Sequence, residues 1–244
     1  MKALIFAAGK GERMRPLTER TPKPLLLAGG KPLIAWHLEK LAALGVRDVV
    51  INTAWLAEQF PATLGDGSQW GLRLHYSYEG AEPLETGGGM LHALPLLGDA
   101  AFLAINGDIW SAYDFALLPR EPIGLAHLVM VANPPHHPHG DFGVDADDQL
   151  HPYPNSHLSG PLRALTFAGI GTYRPEVLDD WRHLGGNQTG ADCEPPRFST
   201  IPVLRARMPL GQVSWQQHMG AWSDIGTPQR LALLDAELSP RRAD

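Results

Sequence analysis

The stretch from Leu4 to Leu25, LIFAAGKGERMRPLTERTPKPL, carries an apolar strand straight into a glycine-rich turn and then past three spaced cations, Arg13, Arg15 and Lys23. A buried strand that ends at glycines is a natural start for a mostly parallel α/β sheet, whose ligands sit beyond the carboxyl ends of the strands. Charge is distributed unevenly around it. All five lysines (Lys2, Lys10, Lys23, Lys31, Lys40) fall within the first forty residues. Up to Lys31, seven basic residues stand against two acidic ones, Glu12 and Glu19, in a chain of net charge −6. This local excess of positive charge predicts that something anionic binds at the turn.

Strand-like and helix-like segments alternate through the first half, the pattern of an α/β protein with a mostly parallel sheet. Lys2 to Ala8 reads as a strand, Pro32 to Leu44 as a helix stopped by Gly45, and Asp48 to Ala54 as a second strand. Trp55 to Leu64 follows as a helix, Leu72 to Tyr78 as a strand, Gly88 to Leu97 as a helix, and Ala101 to Asn106 as a strand ending at Gly107-Asp108. In the less regular second half, strands are expected over Leu125 to Ala132, Phe142 to Leu150, Ala164 to Tyr173 and Gln212 to His218. Helices are expected over Arg197 to Met208 and Pro228 to Leu238, with loops at Asn133 to Gly140 and Gly185 to Pro196. No internal repeat or low-complexity tract is visible.

A chain of 244 residues can bury roughly 70–75% of the surface its unfolded form exposes without dividing into separate domains. One domain is expected over 1–244, with halves at about 1–110 and about 111–235. The mildly acidic balance, pI near 6.0, argues against nucleic acid or a membrane surface as partner, both of which want basic charge spread over a face. The opening apolar run is too short for a signal peptide and no stretch suits a membrane helix, so the cytoplasm is the expected location. The single cysteine, Cys193, has no partner for an internal disulfide and reads as inert.

The segment AAGKGER can bring backbone N–H groups close to phosphate, although Gly9 and Gly11 alone also fit an ordinary strand-to-loop turn. Met14 stands where a dinucleotide fingerprint wants its third glycine, which counts against a dehydrogenase, and no Gly-Lys-Ser/Thr of a P-loop is present. Lys23 is different in kind. Held between Pro22 and Pro24 and followed by an apolar run, it reads as a positioned, inward-turned point charge. Asp108 ends a buried strand, and Asp224 precedes a glycine turn and the closing helix; each could be a helix cap or turn residue. Two carboxylates without close histidines equally suit a hard cation such as Mg2+.

Together these residues resemble the sugar-1-phosphate nucleotidylyltransferases over nearly the whole chain. That family opens with an apolar strand, Gly-x-Gly-Thr-Arg and, about ten residues on, Pro-Lys; here Gly9-Lys10-Gly11-Glu12-Arg13 and Pro22-Lys23 match, with Glu12 in place of Thr. Its mid-chain Gly-Asp is similar to Gly107-Asp108, and its late Asp-x-Gly-Thr to Asp224-Ile225-Gly226-Thr227. The resemblance implies a three-layer, Rossmann-like nucleotidyltransferase fold with a mixed, mostly parallel central sheet. It implies Mg2+ held by Asp108 and Asp224, and catalysis by Arg13, Lys23 and Asp108. Nucleotide contacts are implied at Ala8, Gly9, Gly11, Glu12, Arg13, Lys23, Glu85, Thr86 and Gly87, with the Glu85–Gly89 segment receiving the base. Sugar or sugar-phosphate contacts are implied at Asn106, Asp141, Gly143 and Gly169.

Within the family, GERMRPLT, LGDGSQWGL, PLETGGGM and GDF look most like bacterial N-acetylmuramate α-1-phosphate uridylyltransferases. This implies a nucleoside triphosphate, UTP, and a sugar 1-phosphate as partners, with peptidoglycan recycling as the setting and no protein partner. Mannose-1-phosphate guanylyltransferases share much of the same text, and glucose-1-phosphate thymidylyltransferase activity is a related alternative. A non-catalytic nucleotide sensor could use the same pocket. His136, His137 and His139 lie in a proline-rich loop without metal-ligand spacing and read as solvated. Asn187-Gln188-Thr189 fits a glycosylation sequon, which has no meaning in the cytoplasm.

Overall fold

The apolar runs of the first half fold as strands, and the segments of helical period as helices. The computed structural model describes residues 1–154, 160–186 and 188–239. It begins with β1 (Lys2–Phe6), a small ribbon of β2 (Leu27–Ala28) and β3 (Lys31–Pro32), α1 (Leu33–Ala43) and β4 (Asp48–Thr53). Next come α2 (Gln59–Leu64), β5 (Arg73–Tyr78), α3 (Glu85–Leu97), β6 (Phe102–Asn106) and β7 (Ile109–Ser111). The second half contains β8 (Ala126–Val131), β9 (Phe142–Val144), β10 (Leu150–Pro152), β11 (Arg163–Tyr173) and α4 (Trp181–Leu184). It closes with α5 (Thr200–Arg207), β12 (Val213–Gln217), β13 (Trp222–Asp224) and α6 (Pro228–Leu238).

One mixed, mostly parallel sheet runs β10-β9-β11-β6-β1-β4-β5, with β8 pairing β11 and β12 pairing β8. β6, β1, β4 and β5 form a wholly parallel block, and β12 is parallel to β8. β11 is antiparallel to β6, β8 and β9, so it reverses direction beside the block and creates a switch point there.

The two-residue period of a strand sends alternate side chains to opposite faces. Ala3 and Ile5 of β1 join a core with Ile34 and Leu38 of α1 and Phe60 of α2, while Leu4 joins a second core with Met90 and Ala93 of α3 and Leu204 of α5. The result is three layers, helix on sheet on helix. A smaller cluster of Met14, Leu33, Leu231 and Leu234 fastens α6 over the amino-terminal hairpin.

Several boundaries differ from the sequence expectation, each for a local reason. The strand expected over Phe142 to Leu150 is a hairpin, β9 and β10, because Asp145 accepts the N–H groups of Asp147 and Gln149 and turns the chain. The helix expected from Trp55 starts only at Gln59, after a turn with Leu56 at φ 50°. α5 begins at Thr200, where Ser199 Oγ accepts the Ile201 N–H at 3.2 Å. The helix expected from Gly88 begins at Glu85. The β7–β13 ribbon has too few residues for a readable pattern. Asn187, part of the sequon and of the loop at 185–196, lies outside the described residues. Among the described residues no helix is long and apolar enough to cross a membrane.

Candidate active site

The carboxyl ends of β1, β4 and β6 open into a cleft with two lobes. The larger lobe holds about 500 Å³ and is lined by the turn from Phe6 to Met14, by Asn52 and Glu79, and by Pro83, Glu85 and Thr86. The smaller holds about 310 Å³ between β11, the loop carrying His136 and His137, and Trp222 and Asp224. Arg13, Lys23, Asn106 and Asp108 line both lobes, so two cations, an amide and a carboxylate form the common wall.

Backbone geometry shapes the turn. Gly11 has φ +62°, and a Cβ there would stand 2.9 Å from Thr18 Cγ2. Thr18 in turn donates its hydroxyl to the Gly11 carbonyl at 2.8 Å, folding the hairpin back on itself. Pro22 and Pro24 shape a short turn at Lys23–Leu25 that buries Lys23 to 8% exposure. Its ammonium lies 2.6 Å from Asp108 Oδ2, so the clamped lysine and the strand-end carboxylate meet at the common wall. Gly107 lets β6 end against β1, since a Cβ there would sit 2.8 Å from the Phe6 carbonyl, and its N–H donates to that oxygen.

Asp224 joins Asp108 in lining the smaller lobe, from the far end of the chain. In the β7–β13 ribbon it pairs with Ile109, and the Ile225 N–H donates to the Asp108 carbonyl at 3.1 Å. Its Oδ1 lies 2.6 Å from Arg230 Nη1 and 2.8 Å from His136 Nε2. Among the described residues, no group of three or more His, Cys, Asp or Glu is arranged to hold a metal.

The geometry fits the family match, in which residues 2–239 correspond to the family described as "Nucleotidyl transferase". The chain belongs to this family. It is 47% identical, over 95% of each chain, to an N-acetylmuramate alpha-1-phosphate uridylyltransferase of Neisseria meningitidis. It is 31% identical to a protein of that description from Caulobacter vibrioides, over 97% of this chain and 96% of the relative. A mannose-1-phosphate guanylyltransferase of Mycobacterium tuberculosis is 30% identical over 97% of this chain and 64% of its own length. A crystal structure described as a glucose-1-phosphate thymidylyltransferase from Bacillus anthracis shares the fold, with TM-score 0.77 at 20% identity, covering 100% of this chain and 96% of that one. This nucleotidyl transferase is an enzyme of the sugar-1-phosphate class.

In this nucleotidyl transferase, Ala8, Gly9, Gly11, Glu12, Arg13, Lys23, Glu85 and Thr86 all line the larger lobe. Asn106, Gly169, Asp108 and Asp224 line the smaller. Gly87 does not reach either wall. A side chain there would collide with the Phe198 ring, and the Gly87 and Gly88 N–H groups donate to the Phe198 carbonyl at 2.8 and 3.0 Å. Gly87 and Gly88 therefore admit residues 196–198 of the same chain, while Gly89 packs against Glu79 and Asn52. Glu85, at φ +65°, carries the unusual backbone at the lobe instead.

Asp141 and Gly143 also stand behind the walls. Asp141 accepts the Phe167 N–H at 2.8 Å and lies 3.1 Å from His137 Nε2, anchoring the histidine loop to β11. Gly143 pairs with Ala164, and Leu162 occupies the space above it. His136 and His137 of the proline-rich loop line the smaller lobe, with their side chains still 40% and 42% exposed. Sequence reasoning also missed Asn52 and Glu79, which are 2% and 5% exposed yet line the larger lobe. Burial pushes the Glu79 carboxyl up to about 7, against the opposing pull of hydrogen bonds from Leu84 and Asn52. The available signal was an Asn and a Glu at the ends of adjacent parallel strands.

Proposed function

We propose that this chain transfers the uridylyl group of UTP to N-acetylmuramate α-1-phosphate, releasing pyrophosphate and forming a nucleotide sugar. The observation that carries this reading is the common wall of Arg13, Lys23, Asn106 and Asp108, because a reaction between two phosphates needs both at one set of charges. The triphosphate occupies the larger lobe and the sugar 1-phosphate the smaller, which divides the single domain at about residue 110. An oxygen of the sugar phosphate attacks the α-phosphorus, a new P–O bond forms, and the bond to the pyrophosphate oxygen breaks with its electron pair leaving on that oxygen. The nucleophile is already ionised, so positioning and charge compensation account for most of the acceleration.

Each residue has a definite part. The glycine turn brings backbone amides to the triphosphate, Arg13 adds charge at its mouth, and buried Lys23 bridges the two phosphates. Asn106 and Gly169 border the sugar. The donor set fits Mg2+: Asp108 and Asp224 offer oxygens from neighbouring strands, and both carboxylates already hold cationic side chains, Lys23 and Arg230. With two protein carboxylates, further coordination falls to phosphates and water, as Mg2+ prefers. When bound there, Mg2+ supplies neutralisation of the charge shared by the reacting phosphates.

The test crosses four nucleoside triphosphates with several sugar 1-phosphates in the presence of Mg2+ and assays pyrophosphate. Release with UTP and N-acetylmuramate 1-phosphate is the expected result. Preference for GTP with mannose 1-phosphate would replace the substrate pair, and binding without any pyrophosphate would make the chain a sensor. Cytoplasmic location belongs to the same proposal and is checked by cell fractionation.

A further inference from the structure

Asn52 and Glu79 form a buried relay between three segments of the larger lobe. The Ala7 N–H, one residue before Ala8-Gly9, donates to Asn52 Oδ1 at 2.6 Å. Asn52 Nδ2 donates to Glu79 Oε1 at 2.6 Å, and the Leu84 N–H donates to Glu79 Oε2 at 2.7 Å. The relay thus runs from the glycine turn, through the end of β4, to the loop that leads into Glu85 and Thr86. α3 is shaped around it: a Cβ on Gly89 would collide with Glu79 Oε1 and stand 2.6 Å from Asn52 Nδ2. A carboxylate buried this deeply is costly, and an apolar pair would hold a sheet end more cheaply.

We propose that the Asn52–Glu79 pair is a positioning relay that sets the distance between the glycine turn and the Leu84–Thr86 segment, and so the fit of the nucleotide in the larger lobe. The inference rests on the nucleotidyl-transfer reading above. Neither residue needs to touch the reacting atoms. The polarity of the relay is directional: Asn52 accepts at one end and donates at the other, while Glu79 must accept at both oxygens. Replacing the Glu79 carboxylate by an amide places a hydrogen against one of its two donors, and protonating it removes the charge that strengthens both bonds. Burial pushes the carboxyl up to about 7, so a relay that is strongest when ionised adds an acid limb to nucleotide binding. The charged groups bordering the same lobe are Lys10, Glu12, Arg13, Lys23, Glu85 and Asp108, and none of them hydrogen bonds Glu79.

The polarity suggests a swap test. Glu79→Gln alone sets an amide N–H of the new side chain against Asn52 Nδ2 or the Leu84 N–H, and Asn52→Asp alone sets two carboxylates face to face. Combining Asn52→Asp with Glu79→Gln restores every bond. The carboxylate now at position 52 accepts from the Ala7 N–H and from the amide at position 79, whose oxygen accepts from Leu84. Each single variant should weaken nucleotide affinity by about tenfold, and the double variant should return to within about threefold of wild type. Affinity is read by calorimetry with nucleoside triphosphate alone, and KM for both substrates is measured beside it. The relay predicts a change in nucleotide KM with sugar-phosphate KM unmoved. Loss that persists in a folded double variant would overturn it, as would unaltered nucleotide affinity in folded single variants. If wild type binds nucleotide but releases no pyrophosphate, the transferase reading fails while the binding data still judge the relay.

Discussion

The two lobes of the cleft are built on different principles. The larger is made from strand ends and backbone: its turn is held by Thr18 and its floor by the Ala7–Asn52–Glu79–Leu84 chain of hydrogen bonds, nearly all of it buried. The smaller is made from side chains of β11, the β7–β13 ribbon and the histidine loop, with Asp224 gripped by Arg230 and His136, and His137 set against Asp141. A lobe of backbone and buried amides suits the phosphate chain that nucleotides have in common. A lobe of partly exposed charges on a loop and a short ribbon can change from relative to relative without disturbing the sheet.

The contrast is most sharply tested at the common wall. Asp108→Ala and Lys23→Ala should each lower kcat by about 10²–10³ with both substrates saturating, since each removes a charge shared by the two lobes. Near-normal turnover in either folded variant would break the picture of a shared wall. A second test concerns His37, which lies under this wall with its Nε2 2.9 Å from the Ile109 carbonyl. Burial lowers its imidazole to about 4; the Ile109 hydrogen bond and Asp108 oppose the shift, while Lys40 favours it. Between pH 6.5 and 4 the unfolded chain therefore holds a proton that the folded chain lacks, and stability falls as pH drops through that window. The loss should approach roughly 3 kcal/mol in denaturant melts and vanish from the pH profile of His37→Gln.

Smaller effects separate the lobes. Gly89→Ala crowds Asn52 and Glu79, and should cost about 1–3 kcal/mol of stability while raising KM for the nucleotide alone. Arg230→Ala frees Asp224 and should raise KM for the sugar phosphate by about tenfold, with nucleotide KM unchanged. Equal changes in both constants for either variant would mean that the lobes are not independent.

Much of the framework was legible in the sequence because its signals are local. The apolar run of β1 and the helical period of α1 each depend on about ten neighbouring residues. α6 matches its expected bounds, Pro228 to Leu238, since Thr227 caps it and Pro228 opens it. The clamped Lys23 was legible for a similar reason: prolines on either side restrict a lysine wherever they occur. The packing of the Glu85–Gly89 segment was not legible, because a glycine run announces a close approach without saying what approaches. Here it is Phe198, more than a hundred residues away in sequence. The contacts of His136 were not legible because its partners, Asp224 and Arg230, lie some ninety residues further along the chain.

Sequence alone determined the alternation of strands and helices, the glycine-rich turn, the proline clamp on Lys23, the placement of Asp108 at a strand end, and membership of the nucleotidyl transferase family. Tertiary structure alone decided that Asp224 joins Asp108 through a three-residue ribbon, that Asn52 and Glu79 form one buried relay, and that the glycines after Thr86 face inward. The division follows from range: backbone preference and hydrophobic period act between neighbours, whereas a hydrogen bond spanning 27 positions, or a contact spanning 94, exists only once the sheet has brought its ends together.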